Sequence, residues 1–144
     1  MSEFSELVQN YYQNPVNNYH MDDATVSYHE WNAICGDDIT AYLKLTNPEG
    51  TGDSLSDVLV TERSFDGNVS MITQAAASFF SELVVWKKVS DVLQWNEQNM
   101  IDNWFEVSTR RKRSRVIALL ATHNAIHQWL WDGKVETFED VLLG

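Results

Sequence analysis

The residues best suited to chemistry lie in one short segment, Asn32–Asp38, with the sequence NAICGDD, which holds the only cysteine of the chain. Cys35 and Asp37 flank a glycine between two apolar, strand-like runs, an arrangement typical of a metal-ligand corner. Thiolates bind zinc and iron–sulfur clusters, and a carboxylate can complete a zinc site. Because such sites take four ligands, the other ligands would have to come from elements that fold against this corner.

Three strand-like runs surround the corner. Apolar and polar residues alternate over Thr25–Trp31 and over Ile39–Leu45, and a third run extends over Leu55–Phe65 after a turn cluster rich in glycine and proline. Sequential runs with short connections favour an antiparallel meander. The corner is therefore predicted to lie between the first two strands.

Helical periodicity occupies both ends of the chain. The predicted helices are Ser2–Tyr12, a segment from Met71 to Trp86, two short pieces in VSDVLQW and MIDNWF, a long helix Arg113–Trp131, and a last short helix Val135–Leu143. The long helix is expected to bury one apolar stripe. This order predicts an α+β fold, in which a three-stranded antiparallel sheet packs against an N-terminal helix and a C-terminal set of helices. The length suits a single domain over residues 1–144.

Composition excludes several classes of protein. The net charge is −11 and the pI is about 4.6, which argues against a nucleic-acid-binding protein. No apolar run reaches the roughly 18–20 residues that span a bilayer, and the N-terminal segment lacks the basic and apolar regions of a signal peptide. A single cysteine cannot form an internal disulfide, so a reducing cytoplasm is the expected compartment. No catalytic triad, phosphate loop or nucleotide motif indicates a stand-alone enzyme.

Half of the ten basic residues lie in one six-residue run just before and within the start of the long helix: Arg110, Arg111, Lys112, Arg113 and Arg115. Cations at a helix N-terminus oppose the helix dipole, so helix stability does not explain the run. We interpret it as an exposed docking site for an acidic protein surface.

Two further features have structural and functional interpretations. His123 and His127 lie four residues apart on the long helix, the spacing at which two imidazoles could share a metal, but both fall on or beside the apolar stripe and are better interpreted as packed histidines. Of the six tryptophans, the five at residues 86, 95, 104, 129 and 131 fall in the helical half. Most are expected in the core, with one or two facing a partner.

With the elements placed, the sequence resembles the IscU/NifU family of iron–sulfur cluster assembly scaffolds, nearest its SufU branch, from about Leu7 to Trp131. Four segments in order carry the resemblance: VQNYYQNPVNN, NAICGDDITAYLKL, FDGNVSMITQAAASFFSEL and SRVIALLATHNAI. The second contains the Cys-Gly-Asp signature of the family. The first is similar to the family's opening helix, and the last two are similar to its second and third ligand segments.

The resemblance implies a metal site of three cysteines and one aspartate, of which this chain retains two members. Cys35 matches the first cysteine and Asp37 the aspartate, whereas Ser70 occupies the second cysteine position. The third aligns with Ala118 if Arg115 sets the register, or with Ile117 if the apolar run does. The family implies an iron–sulfur cluster or zinc, which one thiolate and one carboxylate cannot close. Two chains could share a cluster, each giving Cys35 and Asp37, which would require a homo-oligomer.

Two functions are compatible with these substitutions. The first is a divergent scaffold-like assembly protein that binds a cysteine desulfurase or other iron–sulfur assembly proteins and accepts sulfur on Cys35. The second is a cofactor-free interaction or regulatory protein that has lost cluster and zinc binding. Retention of Cys35 together with Asp37 favours the first.

Overall fold

A computed structural model describes residues 6–46, 58–103 and 108–143 of the chain. Its strands are β1 (Val26–Asn32), β2 (Asp37–Leu45) and β3 (Val60–Asp66). Its helices are α1 (Glu6–Gln13), α2 (Met71–Val84), α3 (Val89–Val92), α4 (Glu97–Asn103), α5 (Lys112–Leu130) and α6 (Phe138–Val141), with a 3₁₀ turn over Thr109–Arg111 before α5.

The three strands form one antiparallel sheet in the order β1-β2-β3. Ala41 in the central strand lies opposite Tyr28 of β1 and Phe65 of β3. The predicted meander and α+β class are therefore confirmed. The third strand begins at Val60 rather than at residue 55, and residues 55–57 lie outside the described part of the chain, as do the first residues of the predicted N-terminal helix.

Helix α5 is the central element of the core, which corrects the prediction of a single apolar stripe. Every residue from Ser114 to His127 is buried, because α5 packs over β1 and β2 and also against α2. A helix enclosed on all sides loses the amphipathic pattern of a surface helix. None of the described helices is both long and apolar enough to cross a membrane.

A buried arginine joins β3 to the helices. The guanidinium of Arg63 donates to the carbonyl of Ala118 (3.2 Å) and to the hydroxyl of Thr122 (3.3 Å), and lies 5.0 Å from the ring centroid of Phe80. Burial lowers the pKa of Arg63 to about 9. These contacts fix the first half of α5 against the sheet and α2.

The tryptophans depart from the expected core positions. Trp95 and Trp129 are partly buried against the core, but Trp86 and Trp131 are 65% and 92% exposed. Both exposed residues have positive φ angles, a conformation that favours glycine: 70° for Trp86, two residues after α2, and 57° for Trp131, the C-cap of α5. Trp104 lies outside the described residues.

Candidate functional site

The Cys-Gly-Asp corner forms the turn of the β1–β2 hairpin. Asn32 ends β1 and Asp37 begins β2, and the Gly36 amide donates to the Asn32 carbonyl (2.8 Å). Gly36 has a φ of +79°, a conformation in which a residue with a side chain would be strained. This turn places Cys35 at the exposed tip of the hairpin.

The thiol of Cys35 lies between a donor and an acceptor. The side-chain amide of Asn32 donates to Sγ (3.0 Å), and the thiol lies 3.2 Å from Oδ2 of Asp37, to which it donates. The amide is placed to stabilise negative charge on sulfur. The corner therefore holds an exposed thiol in a defined orientation.

The carboxylate of Asp37 is buried and already occupied by hydrogen bonds from α2. Its Oδ1 accepts from the Ser70 amide (2.9 Å), while Oδ2 accepts from the hydroxyls of Ser70 (3.0 Å) and Thr73. Asp37 thus binds the backbone amide of Ser70, the N-cap residue of α2, from another element, and its charge complements the helix N-terminus. We call Asp37, Ser70 and Thr73 the Asp37 network. It gives Asp37 a long-range structural role instead of a bond to neighbouring amides within its own turn.

A glycine allows this approach of α2 to β2. A Cβ added to Gly67 would lie 2.2 Å from the carbonyl oxygen of Asp38, and the φ of Gly67 is +146°. The Asp38 amide donates to the carbonyl of Asn68 in the same connection (3.1 Å). The segment Phe65–Gly67 therefore holds the start of α2 against the Cys-Gly-Asp corner.

The third family ligand position offers no donor atom. Ala118 and Ile117 both lie in the buried part of α5, and neither side chain can bind metal. The structure brings Cys35, Asp37 and Ser70 together through hydrogen bonds. Within the described ranges, no group of three or more His, Cys, Asp and Glu side chains could hold a metal ion. One thiol, one hydrogen-bonded carboxylate and hydroxyl groups do not fit zinc or a cluster.

The structure corrects the prediction that the whole basic run is exposed. Arg115 is 1% exposed, and its Nη2 lies 2.5 Å from Oε2 of Glu97, which is equally buried. A charge buried this deeply requires a partner, which α4 supplies. Arg113 is partly buried over Phe138 and lies 3.4 Å from Glu139.

The remaining three members of the run precede or begin α5. Arg110 is exposed, and Arg111 and Lys112 are half-buried. Only these three stay available for the predicted docking role.

The histidine pair is confirmed as packed. His123 lies 2.9 Å from Oε1 of Glu136 and 2.7 Å from the Val92 carbonyl, whereas His127 lies 2.7 Å from both Asp132 and Oε2 of Glu136. All four ring nitrogens therefore face acceptor oxygens of the protein itself. Sequence reasoning missed both acids, because a loop without periodicity carries them back onto α5.

Glu136 is expected to contribute stability that is lost in acid. Burial raises its pKa, but hydrogen bonds and charge from His123 and His127 outweigh burial, so the pKa of Glu136 lies below its ordinary value. A depressed pKa means that the unfolded state binds the proton more tightly, so this stability is present above about pH 4.5 and falls as the pH drops through the depressed folded-state pKa. Urea unfolding at several pH values should show a shallower acid loss for Glu136→Gln than for the unmodified protein. Parallel acid profiles would contradict the assignment.

Comparisons with known proteins agree with this architecture. The model of the NifU-like N-terminal domain family matches residues 3–135. The iron–sulfur cluster assembly scaffold protein IscU of Thermotoga maritima is 30% identical over 95 residues, which cover 66% of this chain and 60% of that protein. This match thus spans less than two thirds of the curated relative's length.

Solved structures show the same fold. A NifU-like N-terminal domain from Brucella abortus superposes with a TM-score of 0.67 at 16% identity, covering 90% of this chain and 96% of that one. A protein assigned as a scaffold for the SUF system of Fervidobacterium islandicum AW-1 gives a TM-score of 0.63 at 16% identity, covering 86% and 96%. Because the family model spans nearly the whole chain, this protein belongs to the NifU-like N-terminal domain family of iron–sulfur cluster assembly scaffolds, with two cysteine positions replaced.

Proposed function

We propose that this protein acts in iron–sulfur cluster assembly as a carrier of sulfur on Cys35 and does not itself hold a cluster. The observation that carries the proposal is the exposed Cys35 thiol, oriented by Asn32 and Asp37 at the hairpin tip. The remaining family positions supply no further thiolate, so the chemistry available is that of one sulfur atom. A reducing cytoplasm would keep this thiol free.

The donor in this proposal is the persulfide of a cysteine desulfurase. The Cys35 thiolate attacks the outer sulfur of the enzyme persulfide, a new sulfur–sulfur bond forms on Cys35, and the enzyme's sulfur–sulfur bond breaks to release its cysteine thiolate. The outer sulfur carries its proton across, so no external oxidant or reductant is needed. The Asn32 amide would stabilise negative charge on the Cys35 sulfur.

Docking of the partner is assigned to Arg110, Arg111 and Lys112. These cations lie close together at the start of α5, within a chain of net charge −11, and would attract an acidic surface on the desulfurase or another assembly protein. Arg115 is excluded from this surface by its burial against Glu97.

Sulfur transfer can be measured directly. Incubation with a cysteine desulfurase and cysteine should add about one sulfur atom per chain by intact-mass spectrometry, since Cys35 is the only thiol, and Cys35→Ser should add none.

Replacing residues 110, 111 and 112 with glutamine should slow sulfur transfer at low salt and reduce the salt dependence of its rate. Attraction between charges extends over a Debye length of about 30 Å at 0.01 M but only about 10 Å at 0.1 M, so salt weakens docking through these cations. As a control, Lys87→Gln removes an exposed cation outside the basic run and should leave the rate unchanged.

A second function is favoured by the Asp37 network. Asp37 is used inside the protein to hold α2, which suits an interaction protein that needs neither metal nor sulfur. Binding of an assembly protein without any persulfide on Cys35, tested with several desulfurases, would select this function and overturn sulfur carriage.

A further inference from the structure

Strand β1 presents an unpaired edge. Within the described residues it pairs with β2 alone. The Trp31 amide donates to the carboxylate of its neighbour Glu30 (3.3 Å), and the amide of the opposite residue, Asp38, donates to Asn68. Because backbone groups alternate in direction along a strand, Ser27 and His29 share the outward direction of Trp31. These outward groups form a template for another extended segment.

A cleft of about 400 Å³ lies beside this edge. One face of α5 forms a wall of the cleft. The opposite face of α5, which includes Ala118 and Thr122, contacts Arg63 in the core. The cleft is lined mainly by Tyr28, Asn124, Gln128, Trp131, Lys134 and Val135. Tyr28 belongs to β1, so the cleft borders the edge strand of the sheet.

Neither the backbone conformation nor packing explains why residue 131 is a tryptophan. It caps the C-terminus of α5 with a φ of 57°, a strained geometry for a bulky residue, and it is 92% exposed. Glycine would fit the backbone better and would lose almost no burial. Trp86 also has a positive φ, 70°, and is 65% exposed, but it does not line the cleft. Exposed tryptophan at a cleft is typical of a binding hot spot.

Lys134 supplies a positive charge at the same place. Among the described residues, no carboxylate forms an ion pair with its ammonium group within 4 Å. Asp132 bonds His127 through Oδ2 and accepts from the Lys134 backbone amide through Oδ1 (2.9 Å), and Glu136 bonds both histidines of α5. A second hollow of about 540 Å³ also contacts Lys134 and Val135. The cleft therefore combines an apolar wall with a cation that an acidic ligand could neutralise.

We propose that the β1 edge and this cleft bind an extended peptide segment of a partner protein by strand addition. The segment would carry an apolar side chain and, two residues away, an acidic one. Residues two apart in a strand point to the same face and lie about 6–7 Å apart. The apolar side chain would contact Tyr28 and Trp131, and the carboxylate would pair with Lys134, while the backbone bonds to β1.

A labelled peptide tests this with the intact chain. The probe is a fluorescein-labelled octapeptide of threonine with one phenylalanine and an aspartate two residues later, followed by fluorescence anisotropy. Trp131→Gly should weaken binding at least about tenfold, and Lys134→Gln should weaken it and reduce its salt dependence. Trp86→Gly is the matched control, because it also replaces an exposed tryptophan of positive φ but lies away from the cleft, and it should leave affinity unchanged. Hydrogen exchange at Ser27, His29 and Trp31 should slow on binding.

Several results would overturn the proposal. These are no binding at millimolar peptide, an equal loss for the two tryptophan variants, or equal affinity for a probe whose alternate backbone nitrogens are methylated. Dimerisation of the protein alone that Trp131→Gly abolishes would identify a second copy as the occupant and also reject it. Trp131→Asn, which tolerates the left-handed conformation, repeats the test if the glycine variant folds poorly.

Discussion

Glu97→Gln is expected to lower the free energy of unfolding by about 3–5 kcal/mol. Arg115 and Glu97 are each 1% exposed and lie 2.5 Å apart, and the other oxygen of Glu97 accepts from the Leu143 amide (3.0 Å). The substitution keeps the shape of the side chain but leaves the guanidinium charge buried without its counter-charge. Urea unfolding at pH 7 measures the loss.

Two further variants separate burial from charge. Glu139→Gln removes the acid paired with Arg113 at the surface, where Glu139 is 74% exposed, and should cost under about 1 kcal/mol. The double change Arg115→Met with Glu97→Leu should recover most of the stability, because it removes both buried charges together. If Glu97→Gln cost no more than Glu139→Gln, Arg115 would be solvated and would return to the docking surface.

Restoring two cysteines is expected to raise zinc affinity by several orders of magnitude. Asp37 already lies within hydrogen-bonding distance of both Cys35 (3.2 Å) and Ser70 (3.0 Å), so a thiolate at residue 70 would join an assembled corner. Ser70→Cys with Ala118→Cys supplies three thiolates and a carboxylate. Competition with a chromophoric zinc chelator under reducing conditions measures the affinity, for which the unmodified chain should give a weak value.

The alternative alignment, in which Ile117 instead of Ala118 occupies the third cysteine position, provides the control. Ile117 and Ala118 are adjacent on α5 and point about 100° apart, so one of them at most can face the corner. Ser70→Cys with Ile117→Cys should therefore differ sharply from the Ala118 variant, and the tighter binder identifies the third family position. Stoichiometric, tightly held zinc in the unmodified monomer would contradict the prediction.

The sequence predicts the order of helices and strands better than it predicts which residues pair with individual charged side chains. Alternation and turn residues define the hairpin around Cys35 and the antiparallel sheet, because those signals are local. The burial of Arg115 depends on Glu97, which a separate helix brings to it from 18 positions earlier. A run of bases carries no signal of such pairing, so the sequence alone predicts Arg115 at the surface with its neighbours.

Contacts between elements that are separate in the sequence also explain the other differences between the predicted and the observed structure. Asp37 reaches Ser70 and Thr73 only after Gly67 lets α2 approach β2, and α5 is enclosed only once α2 and the sheet have packed on it. The sequence predicts Trp86 and Trp131 in the core because tryptophan is usually well buried. Their exposure and backbone conformation depend on where two helices end, which hydrophobic periodicity locates only approximately.

The Asp37 network changes how folding responds to the surroundings. A ligand that binds only the folded state adds stability that rises with its concentration, so a domain closed by metal depends on metal supply. Here the hairpin and α2 are joined by a carboxylate, two hydroxyls and an amide that belong to the chain itself. Neither chelation nor iron starvation is expected to loosen this junction.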